Sequence, residues 1–354
     1  MMRNREFWLV VSSGVLLGVL GVMLSVWGNP ENSGICVSCF IENSAGALGL
    51  HDNQRMQYLR PELIGFVLGS LLSALVFRDF RSRGGSAPLS RLFLGMFMIF
   101  GCAVFIGCPI KLLLRFSAGD LTAVAGVIGL LAGVWGGLKG LTHGVEFTPQ
   151  DHGKSGGALL IPALFVLLLM FFLMRPDFLL FSAQGGGTQF APWQLALSAG
   201  VALGVLAQRS RFCITGSIRN FMLMGLRVPA LWGLLAFVAT AFVANLATGR
   251  FHPGLYGQPG AHLEYIWSFL GMGLVGWISV LIGGCPFRQL IKAGEGDADA
   301  GLVVIGMFIG GALAQSWGIA ATASGVSLYG KISILMGFAL IAVGSLALRE
   351  RTTV

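Results

Sequence analysis

The sequence predicts an all-α polytopic membrane protein built as an inverted internal repeat, and three observations predict it. The 354-residue chain is 55% hydrophobic and only 11% charged, with a mean hydropathy of +0.80, whereas soluble domains carry roughly 25% charged residues. Apolar runs of about 20 residues recur along it, each enough to cross a hydrocarbon core as a helix. Finally, Gly107-Cys108-Pro109-Ile110-Lys111 returns 177 residues later as Gly284-Cys285-Pro286-Phe287-Arg288, and Cys36 returns at the same offset as Cys213. A repeat of this kind decides the architecture before any local reading.

Ten spans follow in order: 7–27, 61–78, 89–106, 120–138, 158–174, 191–208, 229–247, 265–282, 297–317 and 330–348. The first has Arg3 and Arg5 before it but lacks a small-x-small cleavage site, so it is expected to be a retained span and not a cleaved signal. Four further apolar segments, 35–48, 109–117, 212–224 and 286–294, are too short to cross. Each follows or contains a repeated cysteine, and short helices at membrane depth are tolerated only when buried in protein or lining a cavity. The expected organisation is a single integral membrane domain over 1–354. It comprises repeats of approximately 7–138 and 191–317, a linking helix 158–174 and a C-terminal helix 330–348.

The repeat match is firm around the second cysteine, where seven of the 17 positions in 107–123 and 284–300 are identical. Around Cys36 it rests mainly on Ile41/Ile218 and Asn43/Asn220. Sixteen Lys and Arg fall on the side of the termini and seven on the other, which places both termini in the cytoplasm by the positive-inside bias. The repeat shifts the chain by an odd number of spans, so the copies run in opposite senses. Cys36 and Cys108 are then expected to enter from outside, Cys213 and Cys285 from inside, an arrangement known in transporters. The formal charge of +8 lies in loops and lacks interleaved aromatics, which argues against nucleic-acid binding.

Six cysteines in or beside apolar segments are not a secreted disulfide framework. Proline is favoured at the first helical position, so Cys108 and Cys285 are expected at helix entrances, where free N–H groups and the dipole attract anions. Lys111 and Arg288 follow three residues on, and Arg115 and Lys292 four residues later, adding positive charge along one face. The bland alternatives are a tight turn around a small buried thiol and cations that snorkel to headgroups; duplication of the whole element favours function. Sulfur is soft and the thiol a weak donor, so terminal sulfur or selenium would be held loosely, as conduction requires.

Cys36 and Cys39 form a Cys-x-x-Cys without the βαβ context of a soluble redox motif. Only Cys36 has a repeat partner, so Cys39 is read as an auxiliary thiol and Cys102 as packing. Asp120 and Asp297 are expected N-caps, and Asn43 and Asn220 candidates to line the path. The five histidines, at 51, 143, 152, 252 and 262, lack metal-ligand spacing. Gly153-Lys154-Ser155 has Thr148 where a phosphate loop needs its first glycine. No metal, cofactor or nucleotide site is assigned, and no catalytic residue.

Ser210-Arg211-Phe212-Cys213-Ile214-Thr215-Gly216 and Gly284-Cys285-Pro286-Phe287-Arg288-Gln289-Leu290 resemble the YeeE/YedE family of membrane transporters, and the resemblance covers essentially the whole chain. The stretches Gly28-Asn29-Pro30, Ile35 to Phe40 and Ala45 to His51 are similar to its selenium-associated YedE branch. The resemblance implies an hourglass of nine or ten transmembrane helices plus four short half-helices, in a bacterial cytoplasmic (inner) membrane. It implies passage of a thiosulfate-like anion between thiols through weak S–H hydrogen bonds, with Cys108 and Cys285 central and Cys36 outer. A cytoplasmic TusA-like sulfur carrier is the implied partner, and no carrier domain is expected in a chain ending just after Arg351. Cys39 and Cys102 set the chain apart from simple thiosulfate specificity.

The expected function is uptake of a small sulfur- or selenium-containing species past Cys36, Cys108, Cys213 and Cys285, with Lys111 and Arg288 attracting the anion. The protein is thus expected to be a transporter and not an enzyme. Two alternatives stand beside it: a membrane thiol–disulfide redox enzyme using Cys36 and Cys39, and a channel or scaffold in which the cysteines only pack.

Overall fold

The computed structural model describes residues 2–85, 87–142 and 156–352; His143, His152 and the Thr148 to Ser155 segment lie outside them. Every described regular element of any length is helical. In the first half these are α1 (Met2–Val26), α2 (Val37–Ala47), α3 (Pro61–Val76), α4 (Pro88–Phe105), α5 (Pro109–Ser117) and α6 (Ala123–Thr142). Then comes α7 (Leu160–Met174). The second half holds α8 (Trp193–Ser210), α9 (Ile214–Met224), α10 (Pro229–Ala247), α11 (Tyr265–Leu281), α12 (Pro286–Gly294) and α13 (Ala298–Ser316), and α14 (Leu328–Thr352) ends the chain. Each expected span and each short segment is a helix.

Seven stretches among the described residues are long and apolar enough to cross a membrane. Two of them, Pro88–Ser117 and Tyr265–Gly294, each combine a long helix with the short helix after it. Pro61–Val76 and Leu328–Gly344 are shorter apolar helices. This is a polytopic, all-helical membrane architecture.

Proline begins α3, α4, α5, α10 and α12, where its missing N–H leaves no helical bond unmade and its φ is already helical. The breaks after α4 and α11 are equivalent by the 177-residue offset: Ile106 has φ +62° and Gly283 has φ +76°. Glycine takes this conformation freely, but a β-branched residue is strained there. The strain at Ile106 marks the edge of the site described below.

The long helices interleave. The most extensive packing is α6 on α11 and α3 on α8, then α1 on α10 and α4 on α13. The offset carries α1 and α10 onto α8 and α3, and α4 and α13 onto α11 and α6, so the packing graph maps onto itself. Each long helix thus finds its main partner in the other half. Small residues permit this approach: a Cβ on Gly14 would overlap the Gly233 carbonyl, and one on Gly133 would overlap that of Gly273. Backbones meeting this closely are how membrane helices gain dispersion contacts without a hydrophobic driving force. The short helices occupy matched places, α5 against α6 and α10, and α12 against α13 and α3.

Asp297 caps α13, its Oδ1 accepting from the Ala300 N–H at 2.9 Å. Asp120 departs from expectation. Helix α6 begins only at Ala123, and Asp120 Oδ1 accepts from the Thr122 N–H at 2.8 Å and its hydroxyl at 2.5 Å. The carboxylate therefore closes a turn ahead of the helix, because its other oxygen is engaged by Arg115.

Candidate functional site

All four repeated cysteines cap short helices: Cys36 caps α2, Cys108 α5, Cys213 α9 and Cys285 α12. The sequence indicated this only where proline followed. Cys36 and Cys213 act as side-chain caps, each sulfur accepting a backbone N–H 3.4 Å away, from Cys39 and Gly216 respectively. The caps of α5 and α12, each followed by proline at the first helical position, have no such bond.

The thiols come together in two pairs. The Val37 N–H donates to Cys108 Sγ at 3.3 Å, which sets that sulfur at the start of α2 next to Cys36. Cys213 and Cys285 sulfurs lie 3.5 Å apart, and the Cys285 N–H points at Cys213 Sγ from 3.4 Å. A hydroxyl accompanies each pair, with Ser38 3.4 Å from Cys36 Sγ and Thr215 3.3 Å from Cys213 Sγ. All six cysteines are free thiols; these four are buried, Cys39 is partly exposed, and Cys102 is buried on α4.

The cations divide differently from expectation. Arg115 Nε binds Asp120 at 2.7 Å with both side chains essentially inaccessible, and Lys292 binds Asp297 at 3.4 Å. Arg115 also donates to the Phe105 carbonyl at 3.2 Å and to Thr122 Oγ1 at 2.8 Å, tying α5 to the end of α4 and the start of α6. These two cations are therefore neutralised within their own repeats and are not free charge along a substrate face. Of the inner pair, Arg288 meets Glu295 at 3.1 Å. Lys111 has no carboxylate partner among the described residues, and Ala118 holds the position equivalent to Glu295. Its ammonium instead lies against the backbone at Gly260.

Two cavities open at the short helices, the first reached by Cys39 and not by Cys36 or Cys108, the second by Cys213. The first, of about 420 Å³, is lined by Cys39, Glu42, Asn53, Arg55 and Gln315, with Ile106 at its edge. The second, of about 220 Å³, is lined by Arg211, Cys213, Thr215, Arg219, Asn220 and Arg288. Asn220 thus reaches a cavity. Asn43 does not: its amide donates to the Cys39 carbonyl at 2.8 Å and touches the Met56 sulfur at 3.8 Å, inside the packing of α2.

Glu42 and Arg219 are repeat-equivalent and line the two cavities with opposite charge. Sequence reading missed them, although a carboxylate inside an apolar segment is itself a signal of function. His51, in the loop after α2, bonds the Glu42 carbonyl through Nε2 at 2.9 Å; burial holds its imidazole below the ordinary histidine range.

No protein-family model matches the chain. It is similar to the probable transporter YedE of Salmonella typhimurium, 29% identical over 149 residues, which are 41% of this chain and 35% of that protein. The match therefore spans about a third of that relative's length, and this likeness supports the YeeE/YedE resemblance.

Proposed function

We propose that this chain is a membrane transporter that takes up a small sulfur- or selenium-containing species, such as a thiosulfate-like anion, by relay past Cys36, Cys108, Cys213 and Cys285. One observation carries the reading: two pairs of buried thiols at equivalent helix starts, the second opening through Cys213 onto a polar cavity and the first lying behind Cys39 and Glu42, which line another. Thiols bond weakly enough to release a soft anion, and helix starts attract its charge. Lys111, lacking a carboxylate partner, adds attraction beside Cys108, and Arg288 does so beside Cys285 in part offset by Glu295. The likeness to a protein named as a probable transporter supports the same reading.

The repeats 7–138 and 191–317 are then opposed halves of an hourglass, with the first cavity external and the second cytoplasmic. A location in the bacterial inner membrane, cytoplasmic termini and a TusA-like carrier receiving the cargo belong to this proposal, as does the selenium branch. The test is uptake of labelled thiosulfate and selenite into proteoliposomes by wild type, Cys108→Ala and Cys285→Ala. Cysteine-dependent uptake of either label supports the proposal and ranks the cargo; a folded wild type that moves neither overturns both cargo assignments.

A redox enzyme using Cys36 and Cys39 is the second reading. It draws on Cys39 facing the first cavity while its N–H meets Cys36 Sγ. It requires an obligatory Cys36–Cys39 disulfide during turnover, which trapping with an alkylating agent and peptide mass spectrometry would detect.

A further inference from the structure

We propose that binding of the anion at the first cavity is linked to uptake of a proton by Glu42. This rests on the transporter reading above and assigns a residue that the thiol relay does not use. Glu42 lies on α2, three residues after Cys39, only 5% exposed and lining the same cavity. A carboxylate so placed would repel the anion the thiols are built to receive, whereas a neutral carboxyl could donate to it.

The surroundings of Glu42 lack the usual partner of a buried carboxylate. Gln315 Nε2 on α13 donates to Oε2, and Gln315 Oε1 is itself held by Asn53 Nδ2 at 2.6 Å. The amide is thus fixed with its donor toward Glu42. Among the described residues no Lys, Arg or His forms an ion pair with this carboxyl. The titratable and charged groups around it are Cys36 and Cys39 on α2, Cys102 on α4, Lys111 on α5, and His51 and Arg55 in the loop after α2. Helix α13 crosses closely at Gly311, where a Cβ would come 3.5 Å from Glu42 Cα and Cγ, so the backbone of α13 backs the stem of Glu42 while its carboxyl faces the cavity.

The equivalent position in the second half supplies the contrast. Arg219 lines that cavity together with Arg211 and Arg288, groups that attract an anion at every working pH. The balance is simple: one proton passes from the solvent of the first cavity to a Glu42 carboxylate oxygen as one anion binds, and no covalent bond to the cargo forms or breaks.

Isothermal titration of purified protein with thiosulfate tests this, at pH 6 and pH 8 and in two buffers of different ionisation enthalpy. Wild type is expected to bind more tightly at pH 6, by up to about tenfold per pH unit for a single linked proton, and to take up as much as one proton per anion. Glu42→Gln is expected to bind equally at both pH values with no proton uptake, and Glu42→Asp to keep the linkage. Wild-type binding without proton uptake overturns the inference and leaves the transporter reading intact. Unchanged linkage in Glu42→Gln overturns it too, by moving the proton to Cys36, Cys39, Cys102, Lys111 or His51. Loss of binding in Glu42→Gln at both pH values, with an unchanged melting temperature, also overturns it. A wild type that binds neither thiosulfate nor selenite removes the transporter reading and this inference with it.

Discussion

Cys213 and Cys285, 72 residues apart, hold their sulfurs 3.5 Å from each other, and the Cys285 N–H points at Cys213 Sγ. Two helix starts are thereby joined by a thiol contact and not by a bond. The distance must shrink to about 2.05 Å for a disulfide, a shift within reach of side-chain rotation. Diamide should therefore link Cys213 to Cys285, the two thiols giving their hydrogens to the diazene. Peptide mass spectrometry would find the cross-link, and thiosulfate uptake should fall at least fivefold until a reducing agent is added. An oxidised sample with both thiols still free would contradict the pairing.

Thiol substitutions should separate the relay from its surroundings. Alanine at Cys108 or Cys285 is expected to lower uptake at least tenfold, while Cys102→Ala, buried on α4, should transport within about twofold of wild type. Equal losses at all three positions would mean that the sulfurs matter only as packing.

The two Asp–cation pairs differ in burial, and their removal should differ in cost. Arg115 and Asp120 are 1% and 0% exposed, Lys292 and Asp297 21% and 12%. Breaking a fully buried pair by removing one partner costs about 3–5 kcal/mol, so Asp120→Asn should lower the melting temperature sharply. Asp297→Asn loses a weaker, partly exposed pair but keeps the cap, since Asn caps as well as Asp, and costs about 1 kcal/mol or less. Thermal unfolding in detergent compares them; a larger loss at Asp297 would reverse the argument.

Lys111 and Arg288 occupy equivalent positions but should respond differently. Arg288→Gln leaves the buried Glu295 with only the longer, half-exposed contact to Arg83 at 3.6 Å and is expected to cost about 1–3 kcal/mol as well as uptake. Lys111→Gln removes a charge that no carboxylate offsets, so uptake should fall while the melting temperature holds or rises. The idea fails if Lys111→Gln unfolds as readily as Arg288→Gln.

Glycine contacts set the helix spacing. Gly133→Val would drive a side chain into the Gly273 carbonyl, and overpacking of this kind costs at least about 1–3 kcal/mol. Size-exclusion chromatography should show aggregation or poor yield, with Gly140→Ala, whose added Cβ would meet nothing closer than 3.9 Å, as the mild comparison. A monodisperse, thermally unchanged Gly133→Val would show that the helices have slack there.

Hydropathy and proline placement made the helices legible from the chain. All ten expected spans and four short segments are helices, seven stretches being long and apolar enough to cross a membrane, with boundaries such as Pro109–Ser117 and Pro229–Ala247 falling where the sequence places them. Helix formation in an apolar medium is a local matter, since each backbone group must be satisfied within its own segment. Proline marks the first turn by the same local chemistry. The cysteine pairs were half legible. The 177-residue repeat pointed to four equivalent thiols, but nothing in the chain said that Cys36 would meet Cys108 or that Cys213 would meet Cys285.

What the sequence determined by itself is the set of helices, their duplication and the residue types at the helix starts. Tertiary structure alone decided which charges are free. Arg115 and Lys292 look like substrate-facing cations in the chain and are ion-paired in the fold, and Asp120 looks like a cap and is a counter-ion. It also brought Glu42 to Gln315, 273 residues away, at the wall of a cavity. The physical reason is that a charge inside a membrane protein is costly until it meets a partner. For Arg115 and Lys292 that partner stands five residues on, brought round by the turn that ends each short helix, whereas for Glu42 it comes from a helix of the other half, which only packing supplies.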